Sequence, residues 1–408
     1  MRIITYAPLK TDLRLAPGLT PSLDSFGSIT AALRAGLPGD AFTVLNLPEN
    51  ASRAYAVLSE DVWDLRLFVW HPDDTIRIHV YPGALAIAEV TLDDVPAGTA
   101  SELERWSQDE TEARLCAHFD AFRAALDRAR QALPDYALDA GRGAAPEREV
   151  DFDITRISRT LLLTPQERTE PSVQALVTDW LAATIRPFDA DAINAGTLDM
   201  SMSWVNYVIV DVDAARTREF TATMRIAQYF WSAQEWLNAE TQAIIAGART
   251  RDRTRTAEAR LTASRSRMQM LQVEYNALRS VLSRAKEARL QEILSGWSYD
   301  TLAANGALLV EMSSNRLNEI AARRADRSSL FTDMILVGIG LFAVLDVLVG
   351  LLAFSREINA RPALQYTDSG VSQVLSVFAD LNTDTTLFGG GFIVLVLLGV
   401  YLVARKAK

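Results

Sequence analysis

Three histidines, one cysteine and a few adjacent carboxylates are the residues from which catalytic or metal chemistry would have to be built in this 408-residue chain. His71, His79 and His118 fall on different elements, and each reads as an ordinary surface or partly buried histidine. Asp73-Asp74 and Asp93-Asp94 sit beside turn signals, where short carboxylates hydrogen-bond their own backbone. Cys116 lies in the helical-looking stretch Ala113-Arg-Leu-Cys-Ala-His-Phe119. One cysteine allows no intrachain disulfide framework, which fits a reducing compartment. No nucleotide-binding glycine pattern, zinc-type Cys/His cluster or Ser-His-Asp constellation stands out, so the expectation is a protein that is not an enzyme.

One carboxylate stands apart. Asp346 interrupts the apolar run Met334 to Phe354, and a second run, Leu387 to Ala404, carries no charge. About 20 apolar residues cross a bilayer as a helix, so the first run is long enough and the second barely so. A lone carboxylate near mid-bilayer costs about 2.5–3.5 kcal/mol on insertion scales unless it faces water or a partner. The second run offers no cation. A hydrated lumen would resolve the cost, as would protonation of a packed Asp346; the lumen is the favoured expectation, with Asp346 as candidate ion site.

The elements that must position these residues differ along the chain. Ile3–Tyr6, Phe42–Asn46, Leu65–Trp70, Ile76–Tyr81 and Leu85–Val90 are short β-branched or aromatic runs broken by His71-Pro-Asp-Asp74 and Pro82-Gly83, and read as strands. The spacing predicts a helix over Ser101–Leu133. Asp139–Pro146 reads as a linker, Pro171–Ile185 as a helix and Met200–Val212 as a strand. From Ala214 the chain is helical through Lys286 and beyond. It breaks near Ala248–Thr256, where Arg249, Arg251, Arg253 and Arg255 mark a basic hairpin tip that would lie near the membrane surface. The returning arm has heptad order, with Leu261, Met268, Tyr275 and Leu282 on one seam position and Leu271, Leu278 and Ala285 on the other. Gly296 marks a turn, and a helix from Tyr299 would run into the first apolar run; to Phe354 it would be roughly 80 Å long.

Every seventh residue of that helix gives Asn318, Ala325, Thr332, Ile339, Asp346 and Ala353, with Ala322, Ser329, Leu336, Ala343 and Gly350 as partners. Small or weakly polar groups dominate this seam. Parallel helices presenting it would line a narrow pore, with Leu336 and Ile339 as its apolar constriction. Close packing of membrane helices through small residues is the alternative. The predicted pore-lining set is Asn318, Ala325, Ser329, Thr332, Leu336, Ile339, Ala343, Asp346 and Gly350.

Arg323, Arg324 and Arg327 precede the first run, and Arg405, Lys406 and Lys408 follow the second. The positive-inside rule then places both chain ends in the cytoplasm in a two-pass arrangement in the cell's inner membrane. The start of the chain lacks a signal peptide's apolar core. An excess of 51 Asp plus Glu over 41 Lys plus Arg argues against nucleic acid as a partner.

The plan resembles the CorA family of divalent-cation channels: an N-terminal α/β domain, a helical hairpin, a long stalk helix continuing into the first span, a second span and a basic tail. Ser314-Asn-Arg-Leu-Asn-Glu-Ile320 is similar to the family's stalk, and Tyr401-Leu-Val-Ala-Arg-Lys-Ala-Lys408 to its C-terminus. The family's Gly-Met-Asn signature would fall near Ala353-Phe354-Ser355 and is absent. The loop between the apolar runs is longer than the family's, and the hairpin tip is basic where the family's is often acidic. The resemblance implies a homopentamer in the lipid bilayer, with Mg2+ or another divalent cation as permeant or regulatory ion. Members without the signature occur as effectors beside CRISPR systems, which makes a small nucleotide a candidate signal. A third resemblance is to the meiotic-nuclear-division proteins, whose members usually have one span.

The expected architecture is therefore an α+β or α/β cytoplasmic domain over 1–212 and a helical hairpin with stalk over 213–333. Transmembrane helix 1 follows over 334–354, an extracytoplasmic loop over 355–386, transmembrane helix 2 over 387–404 and a basic tail over 405–408. The expected function is cation conduction. The alternative is a ligand-gated or membrane-tethered effector or scaffold.

Overall fold

In the strand Ile76–Tyr81, Ile78 and Val80 point to one side, His79 and Tyr81 to the other, and all four are buried. A strand buried on both faces needs a layer of helices on each. The computed structural model describes residues 1–14, 23–44, 66–133, 151–152, 156–182, 186–202, 205–247 and 254–360, with scattered positions between 377 and 399. Two units emerge from it, Met1–Arg316 and Leu317–Lys408.

The strands of the first unit are β1 (Arg2–Arg14), β2 (Phe42–Thr43), β3 (Phe68–Trp70), β4 (Ile76–Tyr81), β5 (Gly83–Leu92), β6 (Asp151–Phe152), β7 (Ser158–Leu163), β8 (Met200–Ser201) and β9 (Asn206–Val210). Among the described residues they form one mixed sheet in the order β2-β3-β4-β5-β1-β7-β9-β8, with β6 also on β1. The axis is β1, antiparallel to β5 on one side, with Tyr6 opposite Glu89, and to β7 on the other, with Ile4 opposite Thr160. The pair β7–β9 is parallel.

One face is covered by α1 (Leu23–Gly36), α2 (Ala100–Ala117), α3 (Phe119–Ala132), α4 (Pro171–Ala182) and α5 (Asp189–Asn194). Ile3, Ile78, Val80, Leu161 and Val208 pack there with Leu33, Leu103, Phe122, Val177 and Trp180. The other face is covered by α6 (Ala214–Gly247), α7 (Thr254–Val281), α8 (Arg284–Gly296) and the first turn of α9 (Tyr299–Ala360). There Tyr6, Tyr81, Ile87, Leu162 and Tyr207 meet Phe220, Phe230, Leu271, Tyr275, Ile293 and Trp297. The heptad seam of α7 turns inward: Leu261, Met268, Leu271, Tyr275 and Leu278 are buried, and Arg267 bridges to Glu240 of α6 at 3.0 Å.

Several elements differ from the sequence expectation. The helix over 101–133 is two helices, because His118 takes φ −104°, ψ 4° and its ring reaches Asp73 at 3.2 Å. The strand over 200–212 is the short antiparallel pair β8–β9. The helix through Lys286 stops at Val281, because the Ser283 side chain accepts the Lys286 N–H and caps α8. The left-handed residue before α9 is Ser298 (φ 54°), two residues past Gly296. The helices α1 and α5 were not anticipated. The linker 139–146, Arg249, Arg251, Arg253, the tail 405–408 and most of Leu387–Ala404 lie outside the described residues.

In the second unit, Thr332–Ile358 of α9 is long and apolar enough, by length and composition, to cross a membrane.

The root of α9 crosses α6 closely at Gly306. A Cβ there would collide with the Gln234 amide and come within 2.9 Å of Asn238 Oδ1. Gln234 donates to Asn238, which in turn donates to the Leu302 carbonyl at 2.9 Å. Gly306→Val is therefore expected to destabilise the protein by about 1–3 kcal/mol, the usual cost of overpacking. A thermal unfolding midpoint several degrees below wild type, measured in detergent, is the expected result.

Candidate functional site

Where the C-terminal ends of β7 and β9 meet the start of α6, the first unit opens into a cleft of about 400 Å³. Ile4 and Leu162 give it an apolar floor; Thr91 and Thr217 place hydroxyls on its walls. Crevices at strand carboxyl ends are where open α/β sheets hold ligands. Three guanidinium groups line it, Arg2, Arg77 and Arg218, together with Asp74, Glu89, Asp93 and Asp211. Arg2 reaches Asp93 at 4.0 Å, and Asp211 accepts a 2.7 Å bond from Thr217. The lining holds no serine, cysteine or histidine, and among the described residues no three His, Cys, Asp or Glu side chains gather as a metal site. The arrangement suits binding of a small polar molecule carrying charge, and it nominates no nucleophile.

Behind the cleft runs a buried chain of charged groups. Arg66 donates to Nδ1 of His79 at 2.9 Å, which leaves the ring proton on Nε2, 3.5 Å from Glu89. Glu89 also meets Arg225 of α6 at 3.4 Å. Burial drives the His79 pKa down from 6.5 to about 3, and Arg225 adds to the effect, so the ring is neutral at pH 7. Burial pushes the Glu89 carboxyl up, but the His79 ring N–H 3.5 Å away and the charges of Arg225 and Arg77 outweigh it and hold it ionised. Glu89 thus joins the cleft to the interior of the sheet–α6 layer.

In the second unit the site is α9 itself. Leu341, Leu345, Leu348, Leu352 and Ser355 repeat at helical spacing and are the more covered residues, Leu352 and Ser355 being fully buried. The second apolar run touches this face: a Cβ on Gly390 would lie 2.7 Å from Leu345 Cδ2. Helices approach closely in membranes where one presents a small residue. At about 100° per residue, Leu336, Ile339, Ala343, Asp346 and Gly350 fall on the opposite side. All five are exposed.

Of the sequence-predicted residues, Asn318, Ala325 and Thr332 are also on α9 and exposed. Ser329, Arg323, Arg324 and Arg327 are on α9 and Arg255 opens α7; their side chains lie outside the described set. Asp73 is the turn residue expected, accepting from Thr75 and Ile76 backbone N–H groups. His79 is not an ordinary partly buried histidine but the centre of the buried chain. Its signal in the sequence was the placement of Arg77, His79 and Glu89 on the same face of neighbouring strands. No family model, curated protein or solved structure matches the chain.

A base held below its ordinary pKa takes up a proton on unfolding, so His79 makes stability fall as pH drops from 6.5 toward 3, by at most roughly 1.4 kcal/mol per unit. His79→Gln removes this component. The stability gap between wild type and His79→Gln is expected to be widest at pH 7.5 and to shrink at pH 5.5 and 4.5. Thermal unfolding midpoints at the three pH values measure it.

Proposed function

We propose that the chain is a homo-oligomeric, CorA-like membrane protein that conducts cations through a pore built from α9. The observation that carries this reading is the division of α9 into two faces, one carrying the more covered leucines and approached by Gly390, the other exposed and holding Asp346. In a single chain that face would put a carboxylate into lipid, at about 2.5–3.5 kcal/mol. Copies of the chain arranged in a ring put it into water instead. Ala343 and Gly350 leave room for a lumen, and Leu336 and Ile339 form its dry constriction. By resemblance the ring is a pentamer. Flanking charge favours a two-pass helix pair in the inner membrane with the α/β unit in the cytoplasm and the arginines of residues 249–255 near anionic lipid. Without Gly-Met-Asn, Mg2+ is one candidate permeant or regulatory cation among the divalents.

The cleft favours a second reading, a ligand-gated or membrane-tethered effector. Three guanidinium groups set among four carboxylates around one crevice suit a small polar molecule that meets charges of both signs, and by resemblance a small nucleotide is a candidate.

Proteoliposome flux and native mass spectrometry in mild detergent test the pore. Asp346→Asn is expected to keep the oligomer while cation flux or cation-over-anion preference falls several-fold, and Leu336→Ser to raise resting flux. A clean monomer, or Asp346→Asn with wild-type permeation, defeats the pore and leaves the tethered effector.

A further inference from the structure

The cleft of the first unit has an inner end and a mouth, and the strand register separates them. Glu89 lies opposite Arg77 on β4, Thr91 opposite Ile4 on β1, and Arg2 opposite Leu162 on β7. Glu89, Thr91 and Asp93 alternate onto one face, so Glu89 and Asp93 stand about 13 Å apart along the backbone. At the inner end the Glu89 side chain is 11% exposed, and its contacts with His79 and Arg225 both use Oε2. That leaves Oε1 to the cleft, which Glu89 lines. At the mouth Arg2 comes no nearer to Asp93 than 4.0 Å, and Arg218 donates to the Ala214 carbonyl of its own helix. Between the buried carboxylate and these two guanidinium groups the floor is aliphatic, made by Ile4 and Leu162.

We propose that the cleft takes a small linear zwitterion, its ammonium at Glu89, its aliphatic body on Ile4 and Leu162, and its carboxylate at Arg2 and Arg218. A simple anion held by the guanidinium groups would lay its apolar end against Glu89 and strip water from a charge it cannot replace. A simple cation at Glu89 would do the same to the arginines. A molecule charged at both ends gives each end of the cleft an opposite charge, and charge-assisted bonds are the strong ones. The volume of about 400 Å³ lies within the range of small-molecule sites. This inference rests on the cleft being the ligand site of the effector reading and is independent of the pore.

Calorimetric titration of the full-length protein in detergent tests it with four probes: 6-aminohexanoate, hexanoate, hexylamine and AMP. The first is expected to bind about tenfold or more tightly than hexanoate or hexylamine, each of which lacks one charged end. Arg218 is exposed, so Arg218→Gln leaves the buried chain intact. It should weaken 6-aminohexanoate and hexanoate several-fold and leave hexylamine unchanged. Binding of 6-aminohexanoate no tighter than that of hexanoate or hexylamine, or unchanged in Arg218→Gln, would overturn the inference. AMP binding that Arg218→Gln weakens, with none of 6-aminohexanoate, would overturn it and leave the effector reading standing. Binding of none of the four probes would remove both.

Discussion

The first unit is governed by one constraint: its sheet is apolar on both faces, so both must be covered. The helices α1–α5 cover one. The other is closed only when α6, α7, α8 and the start of α9 come together, which makes the hairpin part of the core. Polar bonds then fix the last piece. Trp231 donates from Nε1 to the Trp297 carbonyl at 3.1 Å, and Asn238 to that of Leu302 at 2.9 Å. The beginning of α9 is therefore set by the same packing that buries the sheet.

Covering this face with helices brings its charged residues together. Arg66, His79, Glu89 and Arg225 meet as a chain, and removing one member would leave a buried charge uncompensated, whereas the intact chain adds little net stability. Its contribution is to register. A one-residue slip of β5 would carry Glu89 to the opposite face, toward α2, and leave Arg225 without its carboxylate.

Much of this architecture was legible in local sequence. The strands β4 and β5 follow from alternation bounded by Pro82-Gly83, and the inward face of α7 from its heptads. Breaks made by ordinary residues were not legible. No glycine or proline marks the ends of α2 or α7; a histidine bonded to a distant aspartate and a capping serine do. The buried chain was hidden for a different reason: Arg225 and Glu89 are 136 residues apart, and nothing local announces a partner at that distance. The two faces of α9 were half legible. The small-residue seam could be counted, whereas the leucine stripe has meaning only once Gly390 is seen against Leu345.

The seam is not equally supported along its length. A strict seven-residue repeat drifts about 20° per heptad on a straight helix. From Leu336 to Gly350 that is two heptads, so those residues share a side and stay opposite the leucine stripe whether or not the helix bends. From Asn318 to Asp346 it is four heptads, about 80°, enough to carry Asn318 off the face that holds Asp346. The whole seam lines one lumen only if neighbouring copies of α9 wind around each other with a left-handed twist. The carboxylate and the constriction can share a lumen without that twist. Asn318 and Ala325 would join it only in a supercoiled ring, which makes the apolar segment the firmer part of the proposed pore.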